Sequence, residues 1–185
     1  MYFHRETEGT VVRAGSKNSA WGGITAKVLE VFNHKGFNSQ TVANDIALLK
    51  LDRPITGPNG GRIIKMIAQK QSIPAGQVVR VSGWGLTSLD DEQSSEILRT
   101  VELDIVDHTK CKSQYSGHTI TDNVMCASRL GKDSCRMDSG GPLVINNNEL
   151  VGVVSWGVGC ADVNYPGVYT KISEYRDWIK ELSGV

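Results

Sequence analysis

The 185-residue sequence has no net charge, because 20 Lys and Arg balance 20 Asp and Glu. A balanced chain creates no long-range attraction to nucleic acid or an anionic membrane, and neither is expected as a partner. Long apolar runs are missing too. Val151 to Val154 is too short to span a bilayer and runs into Ser155, Trp156 and Gly157. Met1-Tyr2-Phe3-His4-Arg5-Glu6 has no apolar core, so no signal peptide is read there. No Asn-x-Ser/Thr acceptor occurs, and N-glycosylation is not expected. The four cysteines come without a Cys-x-x-Cys pair or clustered histidines, which argues against their being metal ligands. No metal or other cofactor is expected, and no internal repeat is visible.

What is present is a chain of the length of one domain, or of two small barrels sharing a core. Short strands alternate with turns. Thr10–Arg13, Lys27–Phe32, Ile46–Leu51, Val78–Ser82, Val101–Ile105, Leu143–Ile145 and Leu150–Val154 read as strands. Gly57-Pro58-Asn59-Gly60-Gly61 is a turn cluster, and Asn146-Asn147-Asn148 reads as a hairpin turn, since Asn tolerates positive φ. Lys65–Ala75 reads as a linker, and polar Leu86–Glu96 as a surface loop. This pattern predicts an all-β antiparallel barrel or sandwich. One helix is expected at the end, capped by Ser173, with Tyr175, Trp178, Ile179 and Leu182 on one apolar stripe. Cys111, Cys126, Cys135 and Cys160 allow three pairings, and disulfides imply a secreted protein.

The chemistry centres on Asp133-Ser134-Cys135-Arg136-Met137-Asp138-Ser139-Gly140-Gly141-Pro142-Leu143. Two glycines after Ser139 let the backbone turn tightly and let other groups approach its hydroxyl. Such a hydroxyl is a nucleophile when a base takes its proton. Asn44-Asp45-Ile46-Ala47-Leu48-Leu49-Lys50-Leu51, Ser82-Gly83-Trp84-Gly85, Ser155-Trp156-Gly157-Val158-Gly159-Cys160 and Tyr165-Pro166-Gly167-Val168-Tyr169-Thr170 accompany it. In this order the five motifs resemble the trypsin/chymotrypsin-like serine proteases, and more narrowly the trypsin branch.

The resemblance implies two antiparallel six-stranded barrels with the active site in the cleft between them. Residues 1–70 would be a remnant of the first barrel, and 71–185 the second barrel with its C-terminal helix. It implies the pairs Cys111–Cys126 and Cys135–Cys160. Each would stabilise by roughly 3 kcal/mol in the chain-entropy account. It makes Ser139 the nucleophile and Asp45 the group that orients the catalytic histidine. Asp133, with Ser134, Gly157 and Gly167, would form a pocket for a substrate Lys or Arg. Ser155 and Trp156 would pair with substrate backbone. The oxyanion donors would be the backbone N–H groups of Ser139 and Met137. Met137 stands where the family nearly always has glycine, and losing one donor costs roughly 10²–10³ in kcat. Expected partners are protein or peptide substrates with Lys or Arg, and protease inhibitors.

Two family features are not found. No Ala-Ala-His-Cys motif precedes Asp45. His34, His108 and His118 fail the family order, and His4, 41 residues before Asp45, lacks the flanking motif and reads as an ordinary surface residue. The activation terminus, Ile-Val-Gly-Gly or similar, is absent, which would leave Asp138 without the ammonium it pairs with in the family. The expectation is an N-terminally truncated, zymogen-like chain of low activity. A non-catalytic homologue serving as a binding or regulatory module is the second reading.

Overall fold

The computed structural model describes residues 9–146 and 148–185. Alternating burial marks each strand. In β2 (Ile24–Asn33), Ala26 and Val28 point inward while Thr25, Lys27 and Leu29 face out, the period-two pattern of a half-buried strand. β2 pairs antiparallel with β1 (Val11–Ala14) on one side and β3 (Ala47–Leu51) on the other. These make a three-stranded sheet.

The remaining strands are β4 (Lys65–Met66), β5 (Val78–Gly83), β6 (Arg99–Val106), β7 (Val124–Ser128), β8 (Pro142–Ile145), β9 (Glu149–Trp156) and β10 (Gly167–Lys171). They lie in the order β10-β7-β6-β5-β8-β9-β4, and a further β10–β9 pairing closes six of them into a barrel. Closure leaves no exposed sheet edge around the ring. Its core holds Val79, Val81, Leu103, Leu143, Val151 and Tyr169, and Ile46 of the first half plugs into the same cluster. The all-β architecture implied by the resemblance is therefore present, with one closed six-stranded barrel, a further sheet and a C-terminal helix.

The strands expected from the sequence are all present, with ends shifted by one to three residues. Several elements were not read from the sequence. β7 lies in a segment to which the sequence pattern assigns no element, and β10 largely within a quoted motif. Lys65–Met66, expected as linker, pairs parallel with β9. Helix α1 (His108–Gln114) is capped by Asp107, whose side chain accepts from the Lys110 N–H. Helix α2 (Arg176–Ser183) corrects the expected cap. Ser173 is buried in a short 3-10 turn, Ile172–Glu174, and Tyr175 occupies the N-cap with no side-chain bond. The stripe explains this. Tyr175 and Ile179 are buried, so the chain must carry Tyr175 inward before α2 begins, which leaves Ser173 too early to cap it.

Candidate active site

Asp45 is 4% exposed. A carboxylate is tolerated at that depth only when hydrogen bonds replace its water. Ser155 Oγ donates to Asp45 Oδ2 at 2.7 Å, and Thr170 Oγ1 donates to the Asp45 carbonyl at 2.7 Å. Ser155 lies at the end of β9 and Thr170 in β10, so two barrel strands grip a residue that the first sheet presents. The preceding residue is fixed as well. Asn44 has a φ of 57°, a region Asn enters more readily than most residues. Its Nδ2 donates to the Gly36 carbonyl, and its Oδ1 accepts from Tyr175 Oη at 2.9 Å and Asn123 Nδ2 at 3.1 Å. Burial pushes the Tyr175 phenol up, which keeps it a proton donor.

Ser139 is exposed on a pair of tight turns. The Asp138 N–H donates to the Cys135 carbonyl at 3.1 Å, and the Gly141 N–H to the Asp138 carbonyl at 2.8 Å. The turns are tied to β9, because Gly140 N–H donates to the Val154 carbonyl and Val154 N–H to the Gly141 carbonyl, both at 2.9 Å. Ser139 thus sits one residue from the tie, and Ser155 one residue from it on the facing strand. The strand end Val154–Ser155 holds the serine turn through its backbone and Asp45 through its side chain.

Met137 is 70% exposed with a φ of 71°. It occupies the third position of the Cys135–Asp138 turn, where a type II turn takes glycine. Asp138 is half-buried. Its Oδ1 accepts from Gly85 N–H at 2.8 Å and its Oδ2 from Cys135 N–H at 3.0 Å. A side chain at Gly85 would meet the Asp138 carboxyl carbon at 2.5 Å, so glycine is what lets the carboxylate lie on that backbone. The carboxylate expected to lack a cation has two backbone donors instead.

Asp133 Oδ1 accepts from Ser134 N–H at 2.8 Å and its Oδ2 from Ala161 N–H at 3.1 Å. Ser134 Oγ pairs with Tyr169 Oη at 2.9 Å. Burial pushes the Asp133 carboxyl up to about 6 against the pull of those two N–H groups, and nearby Asp138 adds to the rise. Gly167 leaves room for it, since a side chain there would come within 2.7 Å of Asp133 Oδ1. Asp133 and Asp138 both line a cavity of about 630 Å³, with Cys135, Gly83, Gly85 and Lys132. At Gly157 a side chain would meet only the Gly167 Cα, at 3.9 Å. Trp156 meets Tyr115 edge-on and stacks on His118, with ring centres 5.0 and 5.9 Å away.

The disulfides are Cys111–Cys126 and Cys135–Cys160, the pairing that the resemblance implied. The second bridges the serine turn to the segment beside Asp133. His34 packs on Tyr175 and Trp178, His108 pairs with Asp122 at 3.1 Å, and His118 lies on Tyr115 and Trp156. His4 lies outside the described residues. Sequence reasoning gave Thr170, Asn123 and Tyr175 no part in holding Asp45. Thr170 did stand inside a quoted motif; Asn123 carried no local signal, because its partner is 79 residues away.

The sequence model of the family described as Trypsin matches residues 4–179. Trypsin 5G1 of Aedes aegypti is 42% identical over 177 residues, which cover 94% of this chain and 66% of that protein. Trypsin beta of Drosophila erecta is 43% identical over 171 residues, covering 91% and 66%. Trypsin alpha-3 of Lucilia cuprina is 45% identical over 161 residues, covering 85% of this chain and 94% of that protein. The chain spans about two thirds of the length of the first two relatives.

Proposed function

The chain belongs to the trypsin family of serine proteases, and from that premise we propose that it carries the serine and aspartate of a secreted endopeptidase that cleaves after Lys or Arg. Ser139 attacks the scissile carbonyl and forms an acyl-enzyme. Asp45 orients the imidazole that takes the serine proton, and water then releases the acyl group. The N–H groups of Ser139 and Met137 receive the oxyanion. Asp133, flanked by Ser134, Gly157 and Gly167, receives the substrate cation, and Ser155 and Trp156 lie along the substrate backbone. The observation that carries this reading is the shared strand end: Val154 binds the turn of Ser139 while Ser155 binds Asp45. Protein substrates and protease inhibitors are the partners.

The 185-residue chain by itself is proposed to be nearly inactive. Asp138 accepts from the Gly85 and Cys135 N–H groups, and Met137 holds a backbone conformation that favours glycine. Met137 also favours the second reading, a non-catalytic homologue that binds through the Asp133 pocket.

The test is hydrolysis of an arginine-amide substrate by the chain, with Ser139→Ala and His4→Ala as controls. The expected result is turnover no higher than that of Ser139→Ala. Turnover that both controls abolish would overturn the inactivity and make His4 the base. Fusing an Ala-Ala-His-Cys segment of a trypsin relative ahead of the chain should raise turnover; a fusion that stays at the Ser139→Ala level would favour the binding module.

A further inference from the structure

His34 stands on the turn that follows β2, and two rings of the C-terminal end close on it. Tyr175 meets it edge-on with ring centres 5.4 Å apart, and Trp178 of α2 lies 5.2 Å away at a tilt. The imidazole is half-buried there. Its Nδ1 accepts from the Gly36 N–H at 3.1 Å. A neutral imidazole has one N–H and one acceptor nitrogen, so this bond puts the ring proton on Nε2.

Gly36 links the ring to Asn44. Its N–H goes to His34, and its carbonyl accepts from Asn44 Nδ2 at 2.7 Å. A side chain at Gly36 would meet both partners at 3.3 Å, so glycine lets them close on it from two sides. Asn44 in turn offers its Oδ1 to Tyr175 Oη and directly precedes Asp45. The His34 N–H donates to the Ile46 carbonyl at 3.1 Å, which ties off the loop that presents Asp45.

A second proton on the ring has to enter at Nδ1, the nitrogen already used as an acceptor. The imidazolium then faces the Gly36 N–H donor to donor, and that bond is lost. The charged groups nearby are engaged elsewhere or face solvent. Glu174 is bonded to Lys70, Arg176 to Met66 Sδ and Asp45 to Ser155. Lys35, Asp177, Lys180 and Glu181 are exposed. Burial pushes the Tyr175 phenol up, so it stays neutral. Burial also lowers the His34 imidazole below its ordinary 6.5, with no carboxylate among the described residues to offset it.

We propose that His34 is a pH-sensitive latch between the three-stranded sheet and the C-terminal helix. With a neutral ring it closes the Gly36 turn and holds Asn44 for Tyr175. When it takes a proton from solvent at Nδ1, the turn opens and Asp45 loses part of its support. The unfolded chain takes up this proton more readily than the folded one. The latch is therefore fully closed above about pH 6.5 and loosens as pH falls below it. It rests on the fold alone, not on the proposed chemistry of Ser139.

The experiment compares the full chain with His34→Asn and His34→Phe at pH 7 and pH 5. Asn offers an acceptor to the N–H two residues on without titrating, and Phe keeps a ring without an acceptor. Hydrogen exchange is read per amide and corrected for its intrinsic pH dependence. In the parent, protection of β2, β3 and residues 36–46 should drop about two- to tenfold more than that of β6 and β7 on going to pH 5, the worth of one hydrogen bond. Both variants should lose this differential drop. Asp133 titrates near pH 6 in the barrel half, but it is the same in all three proteins. An equal pH response in parent and variants overturns the latch. Nitrogen NMR of the parent's His34 ring tests it without any substitution. The proton should sit on Nε2 at pH 7, and the ring should titrate below its value in the urea-unfolded chain. A ring that carries its proton on Nδ1 overturns the latch. So does one that titrates higher when folded, as it would if the faces of Tyr175 and Trp178 stabilised the cation.

Discussion

In the closed barrel, Leu103, Leu143, Val151, Val168 and Tyr169 are each 0% exposed. In the three-stranded sheet, Ala26 and Val28, at 2% and 5%, are the strand residues that reach comparable burial. Both disulfides staple the barrel half and neither touches the sheet. Among the described residues the sheet keeps open edges at β1 and β3, whereas the barrel ring has none. Yet the proposed site needs both halves, because Asp45 comes from the weaker one and Ser139 from the stronger. The difference teaches that Asp45 owes its position less to its own sheet than to the groups that reach across: Ser155, Thr170, and Tyr175 acting through Asn44.

The sharpest break in this comparison removes a barrel staple. Replacing Cys135 and Cys160 by Ala opens a link spanning 25 residues, and the chain-entropy account sets its loss at about 3.5 kcal/mol. Denaturant unfolding should show that loss, and the serine turn should become protease-sensitive as the barrel half approaches the sheet in stability. A variant with an unchanged midpoint would mean that the barrel core alone fixes the turn.

Next in size is the bond that joins the halves. Ser155→Ala removes a buried donor from Asp45. A buried acceptor left short of a partner costs roughly 1–3 kcal/mol. Hydrogen exchange should locate the loss: amides of β2 and β3 should exchange faster, while those of β6 and β7 change little. Uniform acceleration across both halves would mean that sheet and barrel open as one unit.

How much of this was legible beforehand follows the same divide. Asp45, Ser139, Asp133 and Asp138 stand in local motifs, and their segments could be read as text. The alternating and β-rich runs gave most strands. β7 and β10 were missed as strands because Val124–Ser128 and Gly167–Lys171 are buried almost throughout. Two-sided burial erases the period-two signal. The cross-half contacts were invisible for another reason. Asn44 meets Asn123 and Tyr175 across 79 and 131 residues, and no local pattern encodes such pairs. α1 was missed because it is one short element whose cap, Asp107, sits in a polar stretch like many others.

Asp133 sharpens the comparison inside the stronger half, where a half-buried carboxyl weakens the fold. Its carboxyl is pushed up to about 6 from an ordinary 3.8, first by burial. The folded state therefore holds a proton that the unfolded chain has already released, and stability falls as pH rises from about 4 through 6, then levels off. Discounted for its partial exposure, the swing is about 1–2 kcal/mol. Asp133→Asn should abolish this slope. The absolute stability of the variant is a poorer guide, since Asn supplies one acceptor oxygen for two N–H donors, from Ser134 and Ala161. Unfolding midpoints at pH 4, 5, 6 and 7 check this, and parallel curves for the two proteins would place the titration elsewhere.

The smallest effect compares strain in the two halves. Met137 in the serine turn and Val42 in the loop before Asp45 have φ of 71° and 52°. A side chain in the left-handed region costs about 1–2 kcal/mol, and glycine's greater freedom in the unfolded chain takes back about 0.5–1. Met137→Gly should therefore gain about 0.5 kcal/mol or slightly more. Val42→Gly should gain more, because a β-branched side chain fits that region worst. Arg136→Gly, one residue earlier and without a positive φ, should lose about 0.5–1 kcal/mol. The opposite signs at 136 and 137 are the measurement that matters. If both glycines destabilise, Met137 rests in its turn without strain, and the turn needs no glycine to reach the shape seen here.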